Sequence, residues 1–276
     1  SVITGGPGKG KTTVLRVVLE VFKRITGRED FLLCAPTGRA RKRLSESAGA
    51  PALTLHKAMY LNGEEDLSDL ADSEDLLEEE LIIADEFTMS DMWLSSILFS
   101  RVRRGARLAL VGDVDQLPSV GPGAVFKAII DSGIVPVTVL DVFFRQAKDS
   151  RIILNADRMI RSQRTLIYGD DFQFHPAEDD HEAAKIIASL YQAELVRAEG
   201  NPDMVQVLSP YRVKTEAGVN ALNRMLREIA NPASADTAQW NVGGQTFRIQ
   251  DKVMQTRNVD NISNGDIGRV VQIRRR

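Results

Sequence analysis

Eight consecutive residues, Gly5-Gly6-Pro7-Gly8-Lys9-Gly10-Lys11-Thr12, fit the spacing G-x-x-x-x-G-K-[ST]. Glycines let backbone N–H groups turn inward around phosphate oxygens without Cβ clashes. A helix opening at the end of such a loop adds the positive end of its dipole. In this arrangement Lys11 neutralises β- and γ-phosphates, and the Thr12 hydroxyl binds Mg²⁺. Gly6, Pro7, Gly8, Lys9, Gly10, Lys11, Thr12 and Thr13 are therefore the candidate nucleotide-binding set. A glycine-rich turn without a ligand would show the same letters. An apolar strand before the loop and a helical pattern after it favour the phosphate site.

A nucleotide with Mg²⁺ also needs a carboxylate at a neighbouring strand end. Leu81-Ile82-Ile83-Ala84-Asp85-Glu86 supplies one. Asp85 is the metal candidate; Glu86 would orient or deprotonate the attacking water. Gln116 follows another apolar run, Leu108 to Val111, where a Gln can bond a γ-phosphate and report its loss. Arg145 stands where a second domain begins, and a fixed guanidinium there can stabilise charge on a transferring phosphoryl group. Taken alone, Arg145 would read as a surface ion-pair residue.

These groups need a scaffold. Residues 1 to 4 read as a strand and 12 to 26 as a helix with Val14, Val18, Val21, Phe22 and Ile25 on its apolar face. Further strands are expected at 30 to 35, 81 to 85, 107 to 111 and 137 to 140. Helices are expected at 40 to 48, closed by Gly49, and at 91 to 103. The alternation predicts an α/β fold with a mostly parallel sheet and helices on both faces. Beyond residue 145 the pattern restarts: helices at 150 to 162, 180 to 193 and 215 to 229, with a strand at 204 to 208. Short strands follow at 245 to 249, 252 to 256 and 267 to 273, with Asn264-Gly265 as a turn. The chain is expected to stop mid-fold.

Composition narrows the class. The 276 residues are 43% hydrophobic, enough for one large domain or two ordinary ones. No apolar run approaches a membrane span, and the first residues do not read as a secretory signal. The single cysteine, Cys34, excludes an internal disulfide framework, fits a reducing cytoplasm and reads as a small core residue. Net charge is -3, but residues 64 to 80 hold ten acidic side chains and no basic one. The remainder is net basic, which permits nucleic-acid binding. His175 and His181 lack a Cys/His cluster and read as surface residues. Trp93 reads as core, Trp240 as a loop residue, and Arg101, Arg103, Arg104 and Arg107 as a solvated edge.

Taken together, Gly5–Thr12, Ala35–Ala40, Leu53–Lys57, Asp85–Met89, Leu110–Gly123, Phe144–Gln146, Leu208–Arg212, Asp251–Asn258 and Asn264–Gly265-Asp266-Ile267-Gly268 resemble, in order and spacing, superfamily 1 helicases of the RecD-like group, the exonuclease V alpha-chain relatives. The resemblance implies P-loop NTPase architecture with tandem RecA-like domains. Residues 1–145 would form the first, with a small acidic insertion at about 60–80. Residues 146–240 would form part of the second, and 241–276 the start of an inserted SH3-like β module. It implies ATP and Mg²⁺ as cofactors, single-stranded DNA as partner, 5′-to-3′ translocation, a role in recombination or repair, and nuclease or helicase subunits as further partners. By the same resemblance Pro36, Thr37, Gly38 and Arg39 contact the DNA backbone, as do Thr54 and His56. Gln116 is the γ-phosphate sensor, Arg145 the arginine finger, and Phe144 the ring stacked on adenine.

Departures from that pattern are informative. Lys9 replaces the usual Thr, placing charge beside the nucleotide or pointing to solvent. Phe87 stands where Ala is usual. Relatives carry a strand-separating hairpin between the positions of His56 and Asp85, yet acidic residues there suit a DNA surface poorly; a solvated loop is the other reading. Neither a Thr-x-His-Lys-x-Gln-Gly nor a Thr-x-x-Thr-Arg segment is present, so both are expected beyond residue 276, and the fragment is expected to hydrolyse ATP poorly. Two other readings stay open: a P-loop ATPase switch acting on a protein partner, and a non-catalytic binding module.

Overall fold

The computed structural model describes residues 1–61, 75–142, 150–234, 238–256, 259, 262 and 265–274. They divide into two compact units, residues 1–172 with 259–264 and residues 173–258 with 265–276. The expected domain boundary at 145 and most of the acidic segment, 62 to 74, lie outside the described residues.

The first unit is built on six parallel strands: β1 (Val2–Gly5), β2 (Phe31–Ala35), β3 (Leu53–Thr54), β4 (Leu81–Ala84), β5 (Arg107–Gly112) and β6 (Val137–Leu140). Their order is β3-β2-β4-β5-β1-β6. Parallel strands need crossovers, and the helices supplying them cover both faces. That explains why β1 and β4 are buried at every position. Alternate residues feed separate cores. Val2, Leu32, Cys34, Ile82, Ala84 and Leu110 face one core, packed by helices Leu55–Ala58, Met92–Arg101 and Val125–Asp131. Ile3, Leu33, Ala35, Ile83, Ala109 and Val111 face the other, packed by α1 (Lys11–Thr26) and α2 (Gly38–Ala48).

The buried stripe of α1 is Leu15, Leu19 and Phe22, flanked by half-buried Val14 and Val18. The expected face was rotated too far: Val21 is 46% and Ile25 78% exposed. The apolar residues at 14, 18, 21 and 25 also keep helical spacing, so the sequence offers two stripes and the sheet selects one. Leu15 is wholly buried, and truncating it to Ala would cost about 2–5 kcal/mol. Gly49 closes α2 as expected, in a left-handed conformation with its N–H donating to Ser45 O at 3.0 Å.

Arg101 departs from the solvated-edge expectation. It is 4% exposed, and its guanidinium donates to the Met59 carbonyl. Charge spacing along a chain does not reveal a tertiary carbonyl acceptor. Leu61 and Leu77, on either side of the segment 62 to 74, are both buried in the first core. Cys34 is buried, and burial pushes its thiol up to about 12, as fits a core residue.

The helix Arg151–Ile160 belongs to the first unit; buried Asn155 bonds both backbone groups of Ile167, at 2.7 and 2.8 Å. In the second unit, helices Asp180–Arg197 and Val219–Ala230 pack through Tyr191, Leu195, Leu222 and Leu226. Val205 and Val207 pack against them, but the strand expected at 204 to 208 is absent; among the described residues of this unit there is no parallel ladder for it to join. Two antiparallel pairs follow: β7 (Gln239–Val242) with β8 (Gln245–Arg248), and β9 (Lys252–Met254) with β10 (Ile267–Arg269). Trp240 therefore sits in a strand opposite Phe247, not in a loop. Arg248 is buried and paired with Glu228 at 2.7 Å, tying the β7–β8 pair to the preceding helix.

Candidate nucleotide and nucleic-acid site

Every candidate group described in the first unit lies at or just past the carboxyl end of a strand. The loop after β1 turns through Gly8 (φ 72°) and Gly10 (φ 81°), a region costly for residues with a Cβ. Gly10 caps α1 without any side-chain bond, and the first turn holds no acidic residue. Its leading N–H groups are therefore left for an anion. Lys11 folds over the loop, its Nζ donating to Gly5 O at 2.6 Å and Gly6 O at 3.3 Å. Thr12 and Thr13 occupy the same first turn. The Lys9 stem lies back over Gly6, where a Cβ would meet Lys9 Cε at 3.4 Å. The Lys9 side chain is half-buried along the loop.

Asp85 and Glu86 follow β4. Asp85 N donates to Cys34 O at 2.9 Å, continuing the ladder one residue past the strand. Burial raises the Asp85 carboxyl, and the Glu86 charge adds to this; Lys11 and Arg43 oppose it. Lys11 and Asp85 thus share one electrostatic environment. Glu86 adopts a left-handed backbone, φ 52°, and its Oε2 is buried without a hydrogen-bond partner among the described residues. Left-handed non-glycine residues and unpaired buried oxygens are both costly, and they concentrate where a ligand completes the site. A strong cation, a phosphate-binding loop, a hydroxyl and two carboxylates fit a nucleotide with Mg²⁺, with Thr12 and Asp85 as the oxygen donors for the metal.

Between β1 and β4 lies β5, so the loop that follows it falls between the phosphate loop and the carboxylate pair. Asp113 is 2% exposed. Its carboxylate accepts from Asp115 N at 3.2 Å and from Gln116 Nε2 at 3.3 Å. The loop is tied to its neighbours by Val114 N donating to Thr4 Oγ1 at 3.3 Å, and by Thr88, whose hydroxyl both donates to Asp113 O and accepts from Asp113 N, each at 3.1 Å. Thr4 carried no signal in the sequence beyond its type, and Thr88 lay within the Asp85–Met89 segment without a role of its own. Gly112 is explained by the same contact: a Cβ there would stand 2.6 Å from Thr88 Oγ1.

The second set lies on β2 and β3. Their register pairs Ala35 with Thr54, which brings Pro36, Thr37, Gly38 and Arg39 beside Thr54 and His56. Thr37 and Thr54 both cap helices, accepting from Ala40 N and Lys57 N at 3.2 Å. Arg39 is exposed and Gly38 buried. His56 is half-buried against Trp93, ring centroids 6.2 Å apart; burial lowers its pKa and Asp91 opposes the shift. Phe144 and Arg145 lie outside the described residues. Among those described, no cluster of three or more His, Cys, Asp or Glu could hold a metal by itself, and His175 and His181 are exposed.

Comparison with known proteins points to one group of relatives. A family model described as an AAA domain matches residues 1–122, and one described as the ATP-dependent RecD-like DNA helicase SH3 domain matches residues 222–276. The chain is 33% identical over 273 residues to the ATP-dependent RecD2 DNA helicase of Deinococcus radiodurans, covering 98% of this chain and 36% of that protein. It is 36% identical over 152 residues to the RecBCD enzyme subunit RecD of Mycobacterium tuberculosis, covering 48% of this chain and 26% of that protein. The chain thus spans about a third or less of these relatives. Among solved structures, a Bacteroides Pif1 helicase in complex with ADP-AlF3 and single-stranded DNA superposes with a TM-score of 0.52 at 18% identity, covering 99% of this chain and 66% of that one. At that identity the likeness carries the fold alone.

Proposed function

We propose, from the premise that this chain is RecD-like helicase sequence, that the whole protein carrying it hydrolyses ATP to move along single-stranded DNA. The observation that supports this most is the placement of two residue sets on one sheet edge. The nucleotide set follows β1, β4 and β5; the Pro36–Arg39 and Thr54–His56 set follows β2 and β3. Strands of one packed sheet move together, so a change at the phosphates has a short, rigid route to the polynucleotide.

In this reading Lys11 and the first-turn amides of α1 hold the β- and γ-phosphates, with Gly6 to Gly10 as the cradle and Thr13 beside it. Thr12 and Asp85 would hold Mg²⁺, which would neutralise charge on the phosphate oxygens. Glu86 takes a proton from water as the water oxygen attacks the γ-phosphorus. The bond to the bridging oxygen breaks, and ADP leaves with that electron pair. Gln116 senses the γ-phosphate. Arg145 and Phe144 are assigned the finger and the adenine stack. Pro36, Thr37, Gly38, Arg39, Thr54 and His56 contact the DNA backbone.

The same reading places domains at 1–145, 146–240 and 241–276, with translocation 5′-to-3′ in recombination or repair. It makes the location cytoplasmic, consistent with the free Cys34 and with no helix of the described residues being long and apolar enough to cross a membrane. Subunits of a nuclease complex are candidate partners, as RecD is named a subunit in M. tuberculosis. The test is steady-state ATPase of the whole protein with and without a single-stranded oligonucleotide, beside Lys11→Ala. Stimulation that vanishes in the variant is expected. Basal activity that neither DNA nor RNA stimulates would point to a switch acting on a protein partner.

A further inference from the structure

We propose that Thr88 is a positioning residue for ATP hydrolysis: its buried hydroxyl holds the Gln116 loop in register with the Glu86 carboxylate. The proposal rests on the reading that Glu86 and Gln116 serve the γ-phosphate. Thr88 lies two residues past Glu86, in the short 3₁₀ turn Phe87–Met89; Asp113 lies three residues before Gln116. One hydroxyl joins the two segments. It donates to Asp113 O and accepts from Asp113 N, both at 3.1 Å, just past the end of β5. A hydroxyl is the smallest side-chain group that can do both.

The contact has no slack. Thr88 is 9% exposed, and fully buried Phe87 precedes it. Opposite, a Cβ on Gly112 would stand 2.6 Å from Thr88 Oγ1 and 3.1 Å from the Phe126 ring, so the β5 end closes onto the turn only because residue 112 is glycine. From Asp113 the link continues through its carboxylate to Asp115 N and the Gln116 amide. The chain of contacts therefore runs from the left-handed turn at Glu86, through Thr88 and Asp113, to Gln116. On its other side the loop borders a cavity of about 120 Å³, whose lining includes Val114, Gln116 and Pro118 and reaches Thr88 and Phe126. An unpacked side makes the bonds at the loop root more decisive for where Gln116 sits.

A threonine that merely satisfied a strand end would matter to stability and not to turnover. Steady-state ATPase of the whole protein, at saturating single-stranded oligonucleotide, separates the two. Thr88→Val keeps the shape and removes both bonds. It is expected to lower kcat by about tenfold or more while the KM for ATP moves less than about twofold, since the phosphate loop is untouched. Thr88→Ser, which keeps the hydroxyl, should restore kcat to within about threefold of the parent. Gly112→Ala attacks the contact from the other strand, should reproduce the kcat loss, and carries the test if Thr88→Val does not fold. Unchanged kcat in Thr88→Val, a kcat loss that Thr88→Ser shares in full, or a change confined to KM would overturn the proposal. Glu86→Gln is the control for the premise. If it keeps parental ATPase, the reading of Glu86 fails and takes the proposal with it. If it is inactive while Thr88→Val is fully active, the proposal alone fails.

Discussion

At one edge of the six-stranded sheet α1 begins at Gly10 with no side-chain cap, whereas α2 and the short helix Leu55–Ala58 begin at Thr37 and Thr54, whose hydroxyls are spent on their own first turns. The first start leaves its N–H groups for a ligand; each of the other two satisfies one of its own with the cap hydroxyl. A helix start that binds forgoes a side-chain cap, at a cost of about a few tenths of a kcal/mol where glycine holds the cap position. The nucleotide region is thus built from backbone donors and a cation, and the neighbouring region from side chains that have a structural task before any contact with DNA.

The largest effect that would break this contrast is at Glu86. Glu86→Gln should lower ATPase turnover by about 10²–10⁴-fold, the range for loss of a general base, with no fall in melting temperature. A protein that unfolds instead would show that the carboxylate is structural. Next, Thr54→Ala should cost about 1 kcal/mol, read as a lower urea midpoint at unchanged m-value. Thr37→Asp sharpens the comparison, because it keeps an acceptor for Ala40 N but adds a negative charge where DNA phosphates are proposed. Stability should hold while affinity for a single-stranded oligonucleotide falls about tenfold.

A smaller effect concerns Asp85. Its folded pKa is raised, so the charged form is disfavoured by folding. The stability contribution of such a group is fully present below its ordinary pKa of 3.8 and is lost as pH rises through the higher folded value. Without nucleotide or Mg²⁺, Asp85→Asn should therefore melt higher than the parent at neutral pH, and the gain should vanish near pH 3. Thermal scans at the two pH values check it. The smallest effect expected is at Lys9, whose stem lies over Gly6; Lys9→Thr should change the KM for ATP by less than about threefold.

Legibility in the sequence followed the same divide. The turn at Gly10 and the helix opening at Lys11 could be read directly because the loop fixes residue types at fixed spacing. The parallel sheet was legible in its apolar runs, since strands buried on both faces leave no room for alternation. What stayed hidden depends on partners far along the chain. Thr88 and Asp113 are 25 residues apart, and Arg101 reaches Met59 across 42. The stripe on α1 differs from the expected one because Val21 and Ile25 prolong the apolar row of Val14 and Val18 away from the sheet. A strand at 204 to 208 was expected from composition, yet a strand requires a neighbour as well as suitable residues.

The left-handed turn at Glu86 has a consequence for how this protein can change. A non-glycine residue in that conformation costs about 1–3 kcal/mol, and here the carboxylate adds a buried oxygen with no partner among the described residues. Replacement by Gly or Asn relieves the backbone and removes the buried carboxylate, so it should yield a sturdier protein with little turnover. Selection for thermal endurance alone would then erode position 86 early, and only selection for turnover would keep it. A collection of heat-resistant variants of this chain should be depleted of glutamate there, while Gly10, whose conformation no larger residue improves, persists.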